Sequence, residues 1–507
     1  MATYGFAIDL KKCIGCHACT IACKAEHQIP VGVNRCWVKT VEKGTFPDTR
    51  RLFFPVLCNQ CDDAPCITIC PTNTLYKRRD GIVDFNTDSC IGCRACMEAC
   101  PYDQLFIDPD THTAEKCNFC ANRVENKLQP ACVSVCPTEC RIFGDLDDPT
   151  SEVAQIFQRE AFMVRKPEKG TGPKVLYLGA EESVIRPEAS VRPLYYKEGQ
   201  VHLRPMGAQM PDPESPGDAR VDYDVPHGKP WGIDMVLYLL FKAIGTGAML
   251  LAALLWHLGF SGPLVTLAAP ILSIVFVTLT AVVLIIDLER PERFYYILTR
   301  SNFRSWMVWG AYFLTAHGAL SALWLLAGWF GYAGALDWLV VPTVVVAIMA
   351  TSYTGFLFAQ GLARDLWQGP AAAIDLVAQS GAAGSASLLL ASMLLGDGTP
   401  DAAPLLGLLL AGSVGSHLVI LLFEHILSPS PTRHHELATQ TFLRGAYSRL
   451  FWGGAIGAGG VLPLVMLLTV GVTFSPFVTC IAAVLALGGG AAWEYIWVEA
   501  GQSVPLS

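Results

Sequence analysis

Beyond residue 140 the chain all but lacks cysteine: eighteen of its nineteen fall between Cys13 and Cys140, and only Cys480 lies outside. Charge is scarce in the later part as well. Residues 231–507 hold nine of the 36 Lys+Arg and thirteen of the 44 Asp+Glu. Long uncharged runs of Leu, Ala, Gly and Val replace them, which is membrane composition and excludes a second soluble domain. The earlier part has no basic excess, 27 Lys+Arg against 31 Asp+Glu, so nothing points to nucleic acid. A phosphate-cradling glycine loop is missing too. The first residues show neither a basic start followed by an apolar run nor a twin-arginine pair, and Arg50 and Arg51 lie too deep to form one. The expectation is a two-part molecule whose cysteine-rich half is not exported.

What the first part has is thiols in a pattern. Run one is Cys13, Cys16, Cys19 and Cys23; run two is Cys58, Cys61, Cys66 and Cys70; run three is Cys90, Cys93, Cys96 and Cys100; run four is Cys117, Cys120, Cys132 and Cys136. Runs two, three and four end in Cys-Pro. Runs one and three carry the x2, x2, x3 spacing in which three thiolates of a tight loop reach one iron–sulfur cubane and the fourth reaches a partner cluster. The runs must therefore work in pairs, and four runs imply four 4Fe–4S clusters. Disulfides suit a secreted chain better, and zinc would not need four runs of four. Cys36, Cys140 and Cys480 are left over and read as small buried hydrophobes.

The segments CIGCHACTIACKAEH at 13–27, LCNQCDDAPC at 57–66 and CIGCRAC at 90–96 resemble the electron-transfer subunit of the dimethyl-sulfoxide-reductase superfamily. The resemblance covers about residues 1–150. It implies four ligand sets: Cys13, Cys16, Cys19 with Cys136; Cys117, Cys120, Cys132 with Cys23; Cys90, Cys93, Cys96 with Cys70; and Cys58, Cys61, Cys66 with Cys100. It also implies that the run-one cluster faces a catalytic subunit and the run-two cluster faces the membrane. A molybdopterin-containing partner is implied, since this chain has no domain of that size.

Residues 146–230 read as an extended connector, rich in Pro, Gly and charge, with 174–178 its one strong strand. From 231 onward eight apolar spans follow, near 233–258, 264–286, 305–329, 338–361, 373–395, 403–427, 451–472 and 475–497. Each is long enough to cross a ~30 Å hydrocarbon core. All eight arginines after 231 (Arg290, Arg293, Arg300, Arg304, Arg364, Arg433, Arg444 and Arg449) fall after even-numbered spans. By the positive-inside rule those loops, and with them the cysteine domain, are cytoplasmic in a bacterial inner membrane. The segments DLERPERF at 287–294, SWMVWGAY at 305–312, YTGF at 353–356 and RDLWQGP at 364–370 resemble the polysulfide-reductase-type (NrfD-like) quinol-interacting anchor. That implies quinone chemistry, with menaquinone or ubiquinone, and no haem.

The expected fold is α+β: a double ferredoxin-type iron–sulfur domain at 1–145, the connector at 146–230, and an all-α eight-helix transmembrane bundle at 231–507. Ionisable residues inside spans are functional candidates. Lys242, Asp287, Arg290 and Tyr353 lead for quinone contact, near the run-two cluster. Glu424, His425 and Glu494 fit a proton path or structural pairs. His317 and His417 leave a haem-bearing anchor open, and an iron–sulfur-driven ion-translocating module is a further alternative. The leading expectation is an electron-transfer and anchor subunit of a respiratory molybdenum or tungsten oxidoreductase, with a sulfite- or formate-type substrate on the partner. Iron analysis of the anaerobically purified chain should return about sixteen iron atoms. About eight, or stoichiometric zinc, would overturn the four-cluster assignment.

Overall fold

The computed structural model describes residues 2–45, 47–187, 197–198, 201–202, 219–395, 402–470 and 475–507. Its first part is built around a short central strand, Tyr4–Asp9, whose core residues Phe6, Ala7 and Ile8 are buried. Arg141–Asp145 pairs with it antiparallel on one side. Val175–Leu178 pairs with it parallel on the other and carries Phe162–Met163 at the edge. A second sheet is a long hairpin, Cys36–Thr45 with Asp48–Leu57, flanked by Ala219–Tyr223. Between the sheets run the cysteine loops and two small hairpins, Leu75–Lys77 with Val83–Phe85 and Leu105–Ile107 with Ala114–Lys116.

The connector expected at 146–230 is therefore corrected over its first part. Residues 146–178 fold onto the cysteine domain through the helix Glu152–Arg159 and the two added strands. The reason is visible in Val175, Leu176, Tyr177 and Leu178, all buried: a continuous apolar run needs cover on both faces, which only a place inside a sheet provides. Of the rest of the connector, residues 203–218 lie outside the described residues, and 219–223 pair with the hairpin. The chain then reaches the membrane part under two clamps. His227 lies between Asp103 and Asp224, with Nδ1 2.6 Å from Asp103. Burial disfavours its charge, but the two carboxylates prevail and raise it to about 9. Trp231 then stacks on Trp367 and donates from its ring N–H to the Cys93 carbonyl.

Among the described residues eight helices are long and apolar enough to cross a membrane. They are spans one to eight: Ile233–His257, Leu264–Ile286, Trp306–Trp329, Ala333–Ala359, Ala372–Leu394, Ala403–Leu427, Leu450–Thr469 and Pro476–Gly501. Spans one to four pack as one group and five to eight as another, with spans one and five forming the seam. The seam depends on glycine. A Cβ on Gly247 would fall 1.9 Å from the Ser380 carbonyl oxygen, and one on Gly384 2.3 Å from the Gly247 backbone. Small residues let helix backbones approach closely where lipid offers no hydrophobic drive between helices. Span eight runs four residues past its expected end, because Trp497 to Gly501 pack on protein, with Gly501 against the Trp367 ring.

The cysteine domain sits on the end of the bundle that carries the arginine loops. Arg290 donates to the Thr111 carbonyl at 2.8 Å, Arg293 to the Thr87 and Cys90 carbonyls at 2.8 and 2.9 Å, and Arg300 to Ser89 Oγ at 2.9 Å. Lys169 pairs with Asp365 and donates to the Leu362 carbonyl. Arg364 holds Glu98 at 2.6 Å, both buried, and also reaches the Val504 carbonyl at 3.0 Å. Residues 502–507 fill the seam between the two parts. Losing one partner of a buried pair strands the other charge, which typically costs about 3–5 kcal/mol. Arg364→Ala should accordingly lower the unfolding free energy, read from denaturant-induced iron release, by an amount of that order. The double variant Glu98→Leu/Arg364→Met should recover most of the loss.

Candidate functional site

The cysteine loops share one backbone plan. Gly15 and His17 in run one, and Gly92 and Arg94 in run three, adopt left-handed φ of 69°, 57°, 70° and 58°. This curls each loop around the space its thiols face. Cys90, Cys93 and Cys96 each act electrostatically on, or feel, Cys70. Cys61 and Cys66 feel Cys58 and Cys100. Cys117 and Cys120 feel Cys23 and Cys132. Cys13 and Cys19 interact, and Cys136 lies 3.5 Å from Cys140, which bonds Cys13. Burial pushes several of these thiols up, Cys61 and Cys120 to about 12 and Cys100 to about 11. Bare thiolates crowded in a buried space are costly, and iron removes that cost by binding the deprotonated form. The donor sets therefore fit iron–sulfur clusters.

Two of the left-over cysteines are not plain core residues. Cys36 is 2 % exposed and lies among Cys19, Cys23, Cys132 and Arg141. Cys140 is buried beside Cys13 and Cys136. The third, Cys480, lies on span eight, far from every run.

The run-three loop seats directly on the membrane part, whereas run two reaches it only through its last residues, Ile67 to Pro71, which corrects the expected placement. Its Ile91 and Gly92 carbonyls accept from the Arg290 and Glu289 amides at 3.2 and 3.3 Å. A Cβ on Gly92 would fall 2.4 Å from Glu289 Cβ, so only glycine allows this seating. Arg94 forms an ion pair with Asp287 and also donates to its carbonyl at 2.8 Å. The run-three partner Cys70 is held on the same side, where Asn302 donates to its carbonyl at 2.8 Å and Ser305 to that of Ile69 at 2.6 Å. Run two instead faces Thr171 and Tyr102. Spacing gave both runs the same chemistry. Which one touches the bundle depends on how residues 288–305 fold over run three.

Directly beneath Cys93 lies a cavity of ≈ 430 Å³. Spans two and three supply about half of its wall, through apolar residues such as Val277, Leu284, Met307 and Leu314. Its polar side chains are few: Asp287, Tyr238, Tyr353, Thr278 and Thr315, beside Cys93 and Trp231. Burial pushes the Asp287 carboxyl up to about 6, against the pull of Arg94. The Tyr238 and Tyr353 hydroxyls hydrogen-bond each other, and Tyr238 bonds Thr354 Oγ1 at 2.7 Å. Gly310 makes room for the Tyr353 ring, since a Cβ there would lie 2.1 Å from it. Behind the tyrosines the buried Lys242 donates to Thr354 and, at 3.1 Å, to the Thr351 carbonyl, with its ammonium 5.3 Å from both ring centroids.

Of the candidates, then, Asp287 and Tyr353 line the cavity, and Lys242 stands one layer behind it. Arg290 points to Thr111 on the cysteine domain. Glu424 and His425 belong to the second helix group, where His425 packs on Trp493, Phe442 and His435. His317 bonds Ser273 at 3.0 Å, whereas His417 bonds Asp375 at 2.6 Å in the other group, so the two do not face each other across one helix pair. Sequence reasoning missed Tyr238 and Trp231. For Tyr238 a signal existed, since it precedes Lys242 by one helical turn and shares its face.

A family model described as "Polysulphide reductase, NrfD" matches residues 224–505, and one described as "4Fe-4S dicluster domain" matches residues 49–146. A tetrathionate reductase subunit of Salmonella typhimurium is 43 % identical over 188 residues, which are 36 % of this chain and 75 % of that protein. The arsenate respiratory reductase iron–sulfur subunit ArrB of a Shewanella species is 37 % identical over 222 residues, 34 % of this chain and 95 % of its own length. A polysulfide reductase component of Wolinella succinogenes is 42 % identical over 177 residues, 34 % of this chain and 92 % of its own.

Proposed function

Because the chain belongs to the polysulphide reductase NrfD family, with an iron–sulfur electron-transfer subunit joined ahead of the anchor, we propose that it carries electrons between membrane quinone and a separate molybdopterin-containing catalytic subunit through four 4Fe–4S clusters. The observation that carries this reading is the cavity shared by Cys93, Asp287 and Tyr353. A mostly apolar cavity walled in part by two membrane spans suits a quinone ring with its isoprenoid tail, and a thiolate ligand of the run-three cluster forms part of the wall. The clusters supply one-electron carriers. Tyr238, Tyr353 and Asp287 are the protein's own groups positioned to orient the quinone oxygens.

Quinone turnover also moves protons, which buried ionisable side chains exchange. Lys242 stands behind the tyrosines, and its charge interacts with that of Glu494 on span eight. Glu494, Gln379 and His417 line a second cavity of ≈ 40 Å³, and Asp375 holds His417 beyond it. This order of groups supports a proton supply from the second helix group. The relatives named above are subunits of reductases, which supports a reductase partner over the sulfite- or formate-type substrate expected from sequence. The chain is a multi-pass membrane protein, and we place its cluster domain on the cytoplasmic face of a bacterial inner membrane. The arginine loops support this placement, although four of those arginines also bind the cluster domain directly.

Two measurements test this reading. Lys242→Ala and Tyr353→Phe should slow electron flow to a quinone analogue by about tenfold or more while leaving reduction of a soluble dye at the parental rate. Parental quinone turnover in both variants, with a loss at His257→Ala instead, would move the site to the opposite face. Epitope tags inserted at Asp148 and at Gly331 should be reachable from the cytoplasm and the periplasm respectively. The reverse pattern would invert the placement.

A further inference from the structure

Arg141 is the residue that the electron path above leaves unexplained. It opens the strand Arg141–Asp145 directly after Cys140, opposite Ile8 in the central sheet. It is 2 % exposed, and a guanidinium stays charged at any physiological pH. Its side chain makes a long contact, Nη2 to Cys36 Sγ at 3.7 Å. Nε and Nη1 are buried and meet no acceptor among the described residues. No carboxylate among them pairs with it. The groups that face its charge are the thiols of Cys36, Cys19, Cys132, Cys140 and Cys13, and the Tyr177 hydroxyl. Cys19 and Cys132 belong to two different ligand sets, so Arg141 sits between two cluster positions.

A buried charge with idle N–H groups is costly unless something negative answers it. Cluster-bound thiolates and sulfides are the negative groups that this position offers. The arginines near run three are engaged differently. Arg94 is paired with Asp287 and Glu289, and Arg293 donates to the Thr87 and Cys90 carbonyls. Each one-electron reduction adds a negative charge to a cluster, so an adjacent uncompensated cation favours the reduced form. Hydrogen bonds to cluster sulfur act in the same direction.

Resting on the four-cluster reading, we propose that Arg141 is a potential-tuning residue. It raises the reduction potential of the two clusters held by Cys13, Cys16, Cys19 and Cys136 and by Cys23, Cys117, Cys120 and Cys132. It acts through those ligands and their sulfides and takes no part in electron transfer itself. The effect is to favour electron residence on the pair remote from the membrane, drawing electrons outward from the cavity beneath Cys93.

The test is an EPR-monitored redox titration of the whole, iron-loaded chain in detergent, comparing the parent with Arg141→Met, Arg141→Gln and Arg141→Lys. Cys93→Ser marks which signals belong to the membrane-side pair. With iron content unchanged, the Met and Gln variants should move the two remote signals to lower potential and leave the membrane-side pair in place. Arg141→Lys, which keeps the charge, should restore most of the shift. If Arg141→Met loses iron, Arg141→Gln decides, since it retains donors and most of the length. Parental potentials in the Gln variant at full iron would overturn the proposal. So would a Lys variant as low as Gln, or a shift confined to the membrane-side pair. An iron count near half the expected value in the parent would instead remove the four-cluster reading on which the inference rests.

Discussion

On the path proposed above, an electron passing between a cluster and membrane quinone has to cross a short gap, and one cysteine loop is seated on the bundle without an intervening side chain of its own. Gly92 lies against Glu289 at a separation that no Cβ would tolerate. The Ile91 and Gly92 carbonyls take the place of hydration for the Glu289 and Arg290 amides. Much else follows from that contact. It fixes Cys93 over the cavity. It gives Arg94 a carboxylate partner in Asp287, and it makes residues 288–305 a lid on run three as well as a connection between spans two and three.

The same constraint explains why arginine collects on one end of the bundle. Arg290, Arg293 and Arg300 donate to backbone carbonyls or hydroxyls of the cysteine domain, and Arg364 neutralises a buried Glu98. A bare polar surface meeting another polar surface leaves many carbonyls in need of donors, and guanidinium supplies several from one side chain. Charge asymmetry in this chain therefore marks the docking end as well as serving orientation. The seam between the two helix groups is the converse case, where Gly247 and Gly384 meet backbone to backbone.

Along the electron path the electrostatic surroundings differ at the two ends. At the membrane end the arginines pair with carboxylates and donate to carbonyls. At the remote end a buried Arg141 faces thiols and little else. Between them, run two is walled by Tyr102 and Thr171, with Lys116 beside it donating to the Val83 and Cys117 carbonyls. Four cysteine runs of similar spacing are thus placed in dissimilar fields, and it is the field rather than the ligands that separates one cluster site from another.

Cysteine spacing and apolar span length are local properties, and they were legible in the chain alone: that an iron–sulfur domain comes first, and that eight helices long and apolar enough to cross a membrane follow it. Tyr353 and Asp287 were also legible, because a polar residue in or beside an apolar span has few reasons to be there. What the sequence could not convey was anything that depends on two distant segments meeting. Val175–Leu178 reads as an isolated strand in a connector until Tyr4–Asp9 gives it a partner. Arg290 reads as a quinone contact until Thr111 claims it. Run two and run three each hold four cysteines, and only the fold of residues 288–305 over Gly92 decides which loop faces the cavity. Spacing along a chain reports what a loop can bind, while adjacency to the membrane is set by long-range packing that no local pattern encodes.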